Sequence, residues 1–207
     1  MKVAYSASHL NECIGNSDIA SLQNFLKSGA DVNILDENGE PLLFIPIVNG
    51  DMDTLKVLLA YADVNMTNED CRTALMIAVE MNDLDIIKKL IKSGARVDCK
   101  DNSGKTAMLL ALEAGHFKIA EYLIKYGSDV NAVDNLGQSA LHLTATRENN
   151  ECTRIVKILF NCGYVMKEAD SWLCYDDFSF NQKTESKYSK LVHKLKASIK
   201  VIKGEAS

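Results

Sequence analysis

Apolar residues in this chain fall in short helical stripes separated by polar turns, and the alternation keeps a steady beat. Within residues 99–131, Met108, Leu109, Ala111 and Leu112 make one stripe. Ile119, Ala120, Leu123 and Ile124 make a second, at the spacing of a buried helix face. Gly115-His116 separates them. Thr106 is placed to cap the first helix and Gly127 to stop the second, because the residue that ends a helix often takes a left-handed conformation suited to glycine. Asp101-Asn102-Ser103-Gly104 in front is turn chemistry. Each predicted helix has only about two or three turns, too few to persist alone in water. The stripes must therefore be buried against something else.

The sequence supplies that something as copies of the same unit. Asp31-Val32-Asn33 returns as Asp63-Val64-Asn65, Arg96-Val97-Asp98 and Asp129-Val130-Asn131, in steps of 32, 33 and 33 residues. Gly39, Cys71, Gly104 and Gly137 keep the same beat, with cysteine in one glycine slot. So do Pro41-Leu42-Leu43-Phe44, Thr73-Ala74-Leu75-Met76, Thr106-Ala107-Met108-Leu109 and Ser139-Ala140-Leu141-His142. With these three markers in register the chain resembles the ankyrin-repeat family, whose unit is a β-turn plus two helices with a T-P-L-H-x-A signature. The likeness is strongest at Asp101–Asn131 and across Asp134-Asn135-Leu136-Gly137-Gln138-Ser139-Ala140-Leu141-His142-Leu143, and it covers about residues 7–167.

The resemblance implies an all-α solenoid of stacked helix-turn-helix units with projecting β-turn loops. The expected organisation is a repeat domain over 1–167, with units at about 7–33 (a polar-faced half-repeat or cap), 34–65, 66–98, 99–131 and 132–167. A connector over 168–185 and a basic amphipathic helix and tail over 186–207 follow. Departures from the pattern carry their own expectations. Pro46 falls inside the first helix of the second unit, where an interior proline costs about 3 kcal/mol or more, so that helix should end early or bend. Pro41, in a first turn, should be tolerated. Leu59-Ala60-Tyr61-Ala62-Asp63 is a residue short and lacks glycine, which predicts a tighter or irregular closing turn. Cys71 and Asn82 stand where glycines are expected, and Arg147–Cys152 should bulge as an enlarged loop.

Beyond Lys167 the periodicity stops. Residues 168–182 combine Glu168, Asp170, Asp176 and Asp177 with Trp172, Tyr175, Phe178 and Phe180. They read as an irregular cap over the last repeat's apolar edge, or alternatively as an aromatic docking patch. From Ser186 to Lys203, Tyr188, Leu191, Val192, Leu195, Ile199 and Ile202 converge on one side of a helical wheel. Lys183, Lys187, Lys190 and Lys194 flank one edge; Lys196, Lys200 and Lys203 flank the other. Docking on the repeats, or binding a membrane surface, a calmodulin-like protein or an import receptor, would each use such a helix.

Charge sharpens this picture. The net charge of −5 splits into 16 basic and 26 acidic residues over 1–182, against 7 and 2 over 183–207. No general basic footprint for nucleic acid results, and none is expected as a partner. The longest apolar run, Leu42 to Val48, has seven residues, far below the roughly 20 that span a bilayer. The first residues, MKVAYSASHLNECIGN, lack the apolar core of a secretory signal, so a cytoplasmic or nuclear chain with reduced thiols is expected. The sequon Asn65-Met66-Thr67 is then incidental.

Catalytic and metal chemistry find little support. Gly104-Lys105-Thr106 resembles the end of a phosphate loop, but Cys99 stands where that motif needs glycine. His116 and His142 occupy repeat slots in which the family uses histidine to bond loop backbone; His9 lies in the corresponding slot of the first unit, and His193 lies on the tail. His142, Cys152, Cys162 and Cys174 match no compact zinc spacing, and Cys152 and Cys162 are expected to pack as small apolar groups. The pairs Asp51/Asp53 and Asp83/Asp85 read as solvated helix-start charges. No enzyme, metal or cofactor is expected.

The family resemblance implies a protein partner, of unstated identity, held by a monomer through the repeat turns and one extended concave face. The implied contact positions are Leu35, Glu37, Asn38 and Glu40, followed by Thr67, Glu69, Asp70, Arg72, Glu80 and Met81. The next units offer Lys100, Asn102, Ser103, Lys105 and Glu113, then Val133, Asn135, Leu136, Gln138 and Arg147, with Leu35, Met81, Val133 and Leu136 as apolar anchors. Adaptor, scaffold and stoichiometric inhibitor are the roles expected of such a surface. Two narrower readings stay open. Leu191, Leu195 and Ile199 keep the spacing of a ubiquitin-ligase adaptor helix, with Leu195 in its cysteine slot, which would make the chain a substrate-recognition subunit. Asn131, preceded by Leu123 and Asp129-Val130, resembles ankyrin asparagines hydroxylated by a dioxygenase.

Overall fold

The computed structural model describes residues 7–145, 150–165 and 170. Among them ten α-helices alternate with turns, and strand pairing is confined to isolated bridges. The chain divides into two compact units at Asn102/Ser103. The first holds α1 (Ala7–Gly15), α2 (Ile19–Lys27), α3 (Phe44–Val48), α4 (Met52–Leu58), α5 (Ala74–Glu80) and α6 (Leu84–Lys92). The second holds α7 (Ala107–Ala114), α8 (Phe117–Lys125), α9 (Ala140–Ala145) and α10 (Asn150–Asn161).

The helices pair as the periodicity requires. In the first unit α1, α3 and α5 pack successively, α2 packs on α4, and each first helix also packs on the helix that follows it. In the second unit α7 packs on α9, α8 on α10, and both hairpins close on themselves. Leu22, Leu42, Ile47, Leu55, Leu75, Met76, Ile86 and Leu90 are buried in the first core; Met108, Leu109, Leu112, Leu123, Leu141, Val156 and Leu159 are buried in the second. Burial of one such side chain contributes about 1.5–3 kcal/mol. Most of that gain requires a neighbouring repeat, which is why helices of five to twelve residues hold together here.

The three sequence markers have physical roles. Asp31, Asp63 and Asp129 each accept a hydrogen bond from the backbone amide of the following asparagine, and Val32, Val64 and Val130 are buried. The asparagines then bridge forward. Asn33 Oδ1 accepts from Asp63 N at 2.6 Å. Asn65 donates to Gly94 O at 3.3 Å and accepts from Arg96 N at 2.8 Å. Asn131 repeats the pair with Gly163 O at 3.1 Å and Val165 N at 2.7 Å. Thr73 and Thr106 cap α5 and α7 through Met76 N and Leu109 N, and Ser139 Oγ accepts from His142 N. Asp51 and Asp83 are N-caps of α4 and α6, as helix-start charges should be.

The expectations drawn from irregularities divide. Cys71 and Asn82 do occupy glycine slots: their φ angles are 58° and 54°, against 77° at Gly39 and Gly115. The segment 59–63 closes without a left-handed residue, through Ala62 N bonding to Leu58 O at 2.8 Å, and α4 is correspondingly short. Pro46, however, does not end α3 early. The helix stops at the register position of α5's end and instead starts two residues late. Pro41 replaces the capping threonine and pairs in a bridge with Leu35, and the first turn is made by Phe44 N to Pro41 O and Ile45 N to Leu42 O. The delay puts Pro46 third in the helix, where an amide hydrogen would lack an intrahelical partner anyway. Of the expected enlarged loop Arg147–Cys152, residues 147–149 lie outside the described residues, and Asn150–Cys152 instead form an additional N-terminal turn of α10, which runs 12 residues against 9 in α8. Cys152 is buried as expected, but Cys162 is exposed, beyond the helix's apolar stripe.

Candidate partner-binding surface

The turns are held rigidly from inside. Asp36 Oδ1 accepts from Asn38 N and Glu40 N, Asn68 Oδ1 from Asp70 N and Arg72 N, and Asp134 Oδ1 from Leu136 N and Gln138 N. One short side chain thereby fixes each loop, as an Asx turn does. The bridges Leu35–Pro41, Thr67–Thr73 and Val133–Ser139 close the loop stems. Neighbouring tips are also joined. Asn102 N donates to Asp70 O at 2.9 Å and its carboxamide to Glu69 O at 3.0 Å, within the first unit. In the second unit, Asn135 N donates to Ser103 O at 2.9 Å.

Against this frame the expected contact residues separate by exposure. Leu35, Glu37, Asn38, Thr67, Glu69, Asp70, Glu80, Met81 and Lys100 are exposed in the first unit, as is Asn102; Ser103, Glu113, Asn135 and Leu136 are exposed in the second. Leu136 is the most open large apolar side chain among the described residues, at 82% of its full accessibility. Glu40, Arg72, Lys105, Val133 and Gln138 are half-buried. Val133 is thus part of its loop stem rather than an open anchor. Arg147 lies outside the described residues, together with the connector apart from Asp170, the tail helix, Cys174 and the adaptor-like spacing Leu191, Leu195 and Ile199.

Several of these positions pair with one another, a relation that the sequence reading missed. Arg72 bonds Glu80, and Lys105 Nζ lies 2.6 Å from Glu113 Oε1. The two pairs occupy equivalent repeat positions eight residues apart, so each ties a turn stem to the far end of the first helix along one exposed side. Glu40, in the Arg72 position of the second repeat, instead accepts from Asn68 Nδ2 at 3.0 Å. The recurrence of opposite charges at this spacing in two repeats was the available signal.

A second missed feature lies at the end of the described chain. Asp170 is fully buried, and its carboxylate accepts from Ser139 Oγ and from the Tyr164 hydroxyl. Burial, then the bond to Asp170, pushes the Tyr164 hydroxyl well above its usual range. This residue of the expected connector therefore seals the α9 N-terminus. Asn131 is likewise built into the fold, since both ends of its carboxamide are bonded across to the next turn.

Chemically, the surface offers carboxylates, amides and isolated apolar groups on fixed backbone. No cluster of three potential metal ligands occurs among the described residues. No helix among them is long and apolar enough to cross a membrane. Tandem helix hairpins with bonded, outward-projecting turns define a repeat protein of the interaction type. The family model for ankyrin repeats, in three copies, matches residues 10–101 and again 82–170, and the chain belongs to the ankyrin-repeat family. Ankyrin repeats are protein–protein interaction modules and are generally non-catalytic. No curated protein matches the chain.

Proposed function

We propose that this chain is a non-catalytic adaptor, scaffold or stoichiometric inhibitor that acts by occupying a partner protein's surface with its turns and first-helix sides. The observation that carries the reading is a division of labour within each loop. Asp36, Asn68 and Asp134 lock the backbone, while Glu37, Asn38, Glu69, Asp70, Asn135 and Leu136 remain exposed. A loop fixed in this way loses little entropy on binding, which favours recognition by preformed shape. Leu35, Met81 and Leu136 supply exposed apolar groups among polar ones, a composition suited to anchors within a wet rim.

The test is joint replacement of Leu35, Met81 and Leu136 by alanine in the full chain, with helicity followed by circular dichroism. None of the three belongs to an ion pair, so folding should survive. Capture of the strongest partner should fall at least tenfold, the effect of losing roughly 1.4 kcal/mol of contact. Undiminished capture by a folded variant would refute the assignment of these positions.

A further inference from the structure

We propose that the turn and first-helix face of the first unit receives a basic amphipathic helix of a partner protein, lysine- or arginine-rich on one side and apolar on the other. The inference rests on the interaction-module reading and names the partner's chemistry. Three independent observations converge on it. Residues 31–80 carry ten carboxylates against two cations, Lys56 and Arg72. Both cations are already spent within the segment, Lys56 on Asp53 and Arg72 on Glu80. The field over these repeats is therefore negative, with Lys100 on the following turn as a further cation of this face.

The carboxylates also divide by role. Those of Asp31, Asp36, Asp51 and Asp63 accept hydrogen bonds from backbone amides. The side chains of Glu37, Glu69 and Asp70 are exposed at the turn tips and bond no described residue. Nothing in the fold explains three unpaired charges on adjoining, hydrogen-bonded turns, where mutual repulsion makes them mildly unfavourable.

The third observation is apolar. Leu35 at the loop stem, Val48 at the end of α3 and Met81 capping α5 are exposed to 42%, 56% and 46%. Val48 stands at the position that Glu80 occupies one repeat later, and the Arg72–Glu80 pair places that position on the same side as the turn stem. Carboxylates at the tips and apolar groups further along the first helices thus make a two-part face. An acidic surface alone would suit any cation. An acidic row beside a row of leucine, valine and methionine selects a ligand amphipathic in the same sense, charge against charge and leucine against methionine.

The experiment uses the full chain and a labelled synthetic helical peptide with one lysine face and one leucine face, followed by fluorescence anisotropy. Saturable binding is expected, weakening as salt rises from about 0.02 M to about 0.3 M. Glu37→Lys, Glu69→Lys and Asp70→Lys together should weaken it by about tenfold or more, since each reversal turns an attraction into a repulsion. Val48→Ser with Met81→Ser should weaken it with the salt dependence retained. No saturable binding, or an unchanged Kd in the charge-reversed chain, overturns the proposal. Binding that emerges only after Lys187→Glu, Lys190→Glu and Lys194→Glu would assign the face to the chain's own tail and overturn it equally. If the peptide fails while partner capture still depends on Leu35, Met81 and Leu136, the partner's chemistry falls and the interaction-module reading stands.

Discussion

Two glycines of the second unit allow the bond between adjacent turns to be weighed separately from backbone strain. Gly104 and Gly137 occupy the same repeat slot with nearly equal φ, 77° and 75°. A Cβ added at Gly137 would meet no atom of the described residues within 4 Å, whereas one at Gly104 would collide with the side chain of Asn135 and lie 2.8 Å from its backbone nitrogen. Gly137→Ala therefore incurs only the left-handed penalty of about 1–2 kcal/mol, offset by about 0.4–1 kcal/mol from a less disordered unfolded chain, a net loss of about 1 kcal/mol. Gly104→Ala incurs the same and must also push Asn135 away, which breaks the Asn135 N to Ser103 O bond. That bond is worth about 1 kcal/mol and the displaced contact a similar amount, giving about 3 kcal/mol in all. The comparison is made by thermal unfolding followed by circular dichroism, with the two variants in parallel. At about 2–4 °C per kcal/mol for a chain of this size, Gly104→Ala should melt about 4–8 °C below Gly137→Ala. Equal melting points would mean that the turns do not touch as described.

Asn131→Ala removes two bonds to the following turn and should cost about 2 kcal/mol; Asn33→Ala, which removes one, should cost about 1 kcal/mol, as read by urea unfolding. Similar losses for both would indicate that the bridges carry little. Pro46→Ala should change stability by less than about 1 kcal/mol, because the late start of α3 already spares the missing amide; a gain near 3 kcal/mol would mean that the proline is strained. Asp51 is held at about 2, first by the Ser17 hydroxyl and then by Thr54, below its usual 3.8. With the folded value depressed, its stabilisation is full above about pH 5 and is lost as pH falls through about 2. The gap in urea midpoint between wild type and Ser17→Ala should therefore narrow on acidification, and a gap independent of pH would contradict this.

The parts of the fold legible in the sequence are those in which one residue type has one physical use. Thr106 ahead of an apolar stripe reads as a cap, Gly127 after one reads as a stop, and both act so in the structure. Even cysteine at position 71 betrayed its glycine slot by register alone, and its φ of 58° agrees. Pro46 was misjudged because its cost depends on where the helix begins, and that was set five residues earlier by Pro41 replacing a capping threonine. Asn150–Cys152 lengthen a helix where a loop is expected, because a short insertion beside a helix start can extend the helix as readily as the loop. On the surface, exposure of Leu136 followed from its place at a turn tip. The half-burial of Val133 did not, since it depends on pairing with Ser139. The Asp170 clamp joins residues 31 apart in sequence through side chains alone, a relation that no local pattern displays.

Partners are expected to meet the turns and the first-helix sides, not the backs of the second helices. Hydrogen–deuterium exchange on the full chain, alone and with its captured partner, reads this residue by residue. Slowed exchange on binding is expected at 35–40, 67–72, 100–105 and 133–138, with little change over α4, α6 and α8. Slowing confined to α4, α6 and α8, with the turns unaltered, would contradict it.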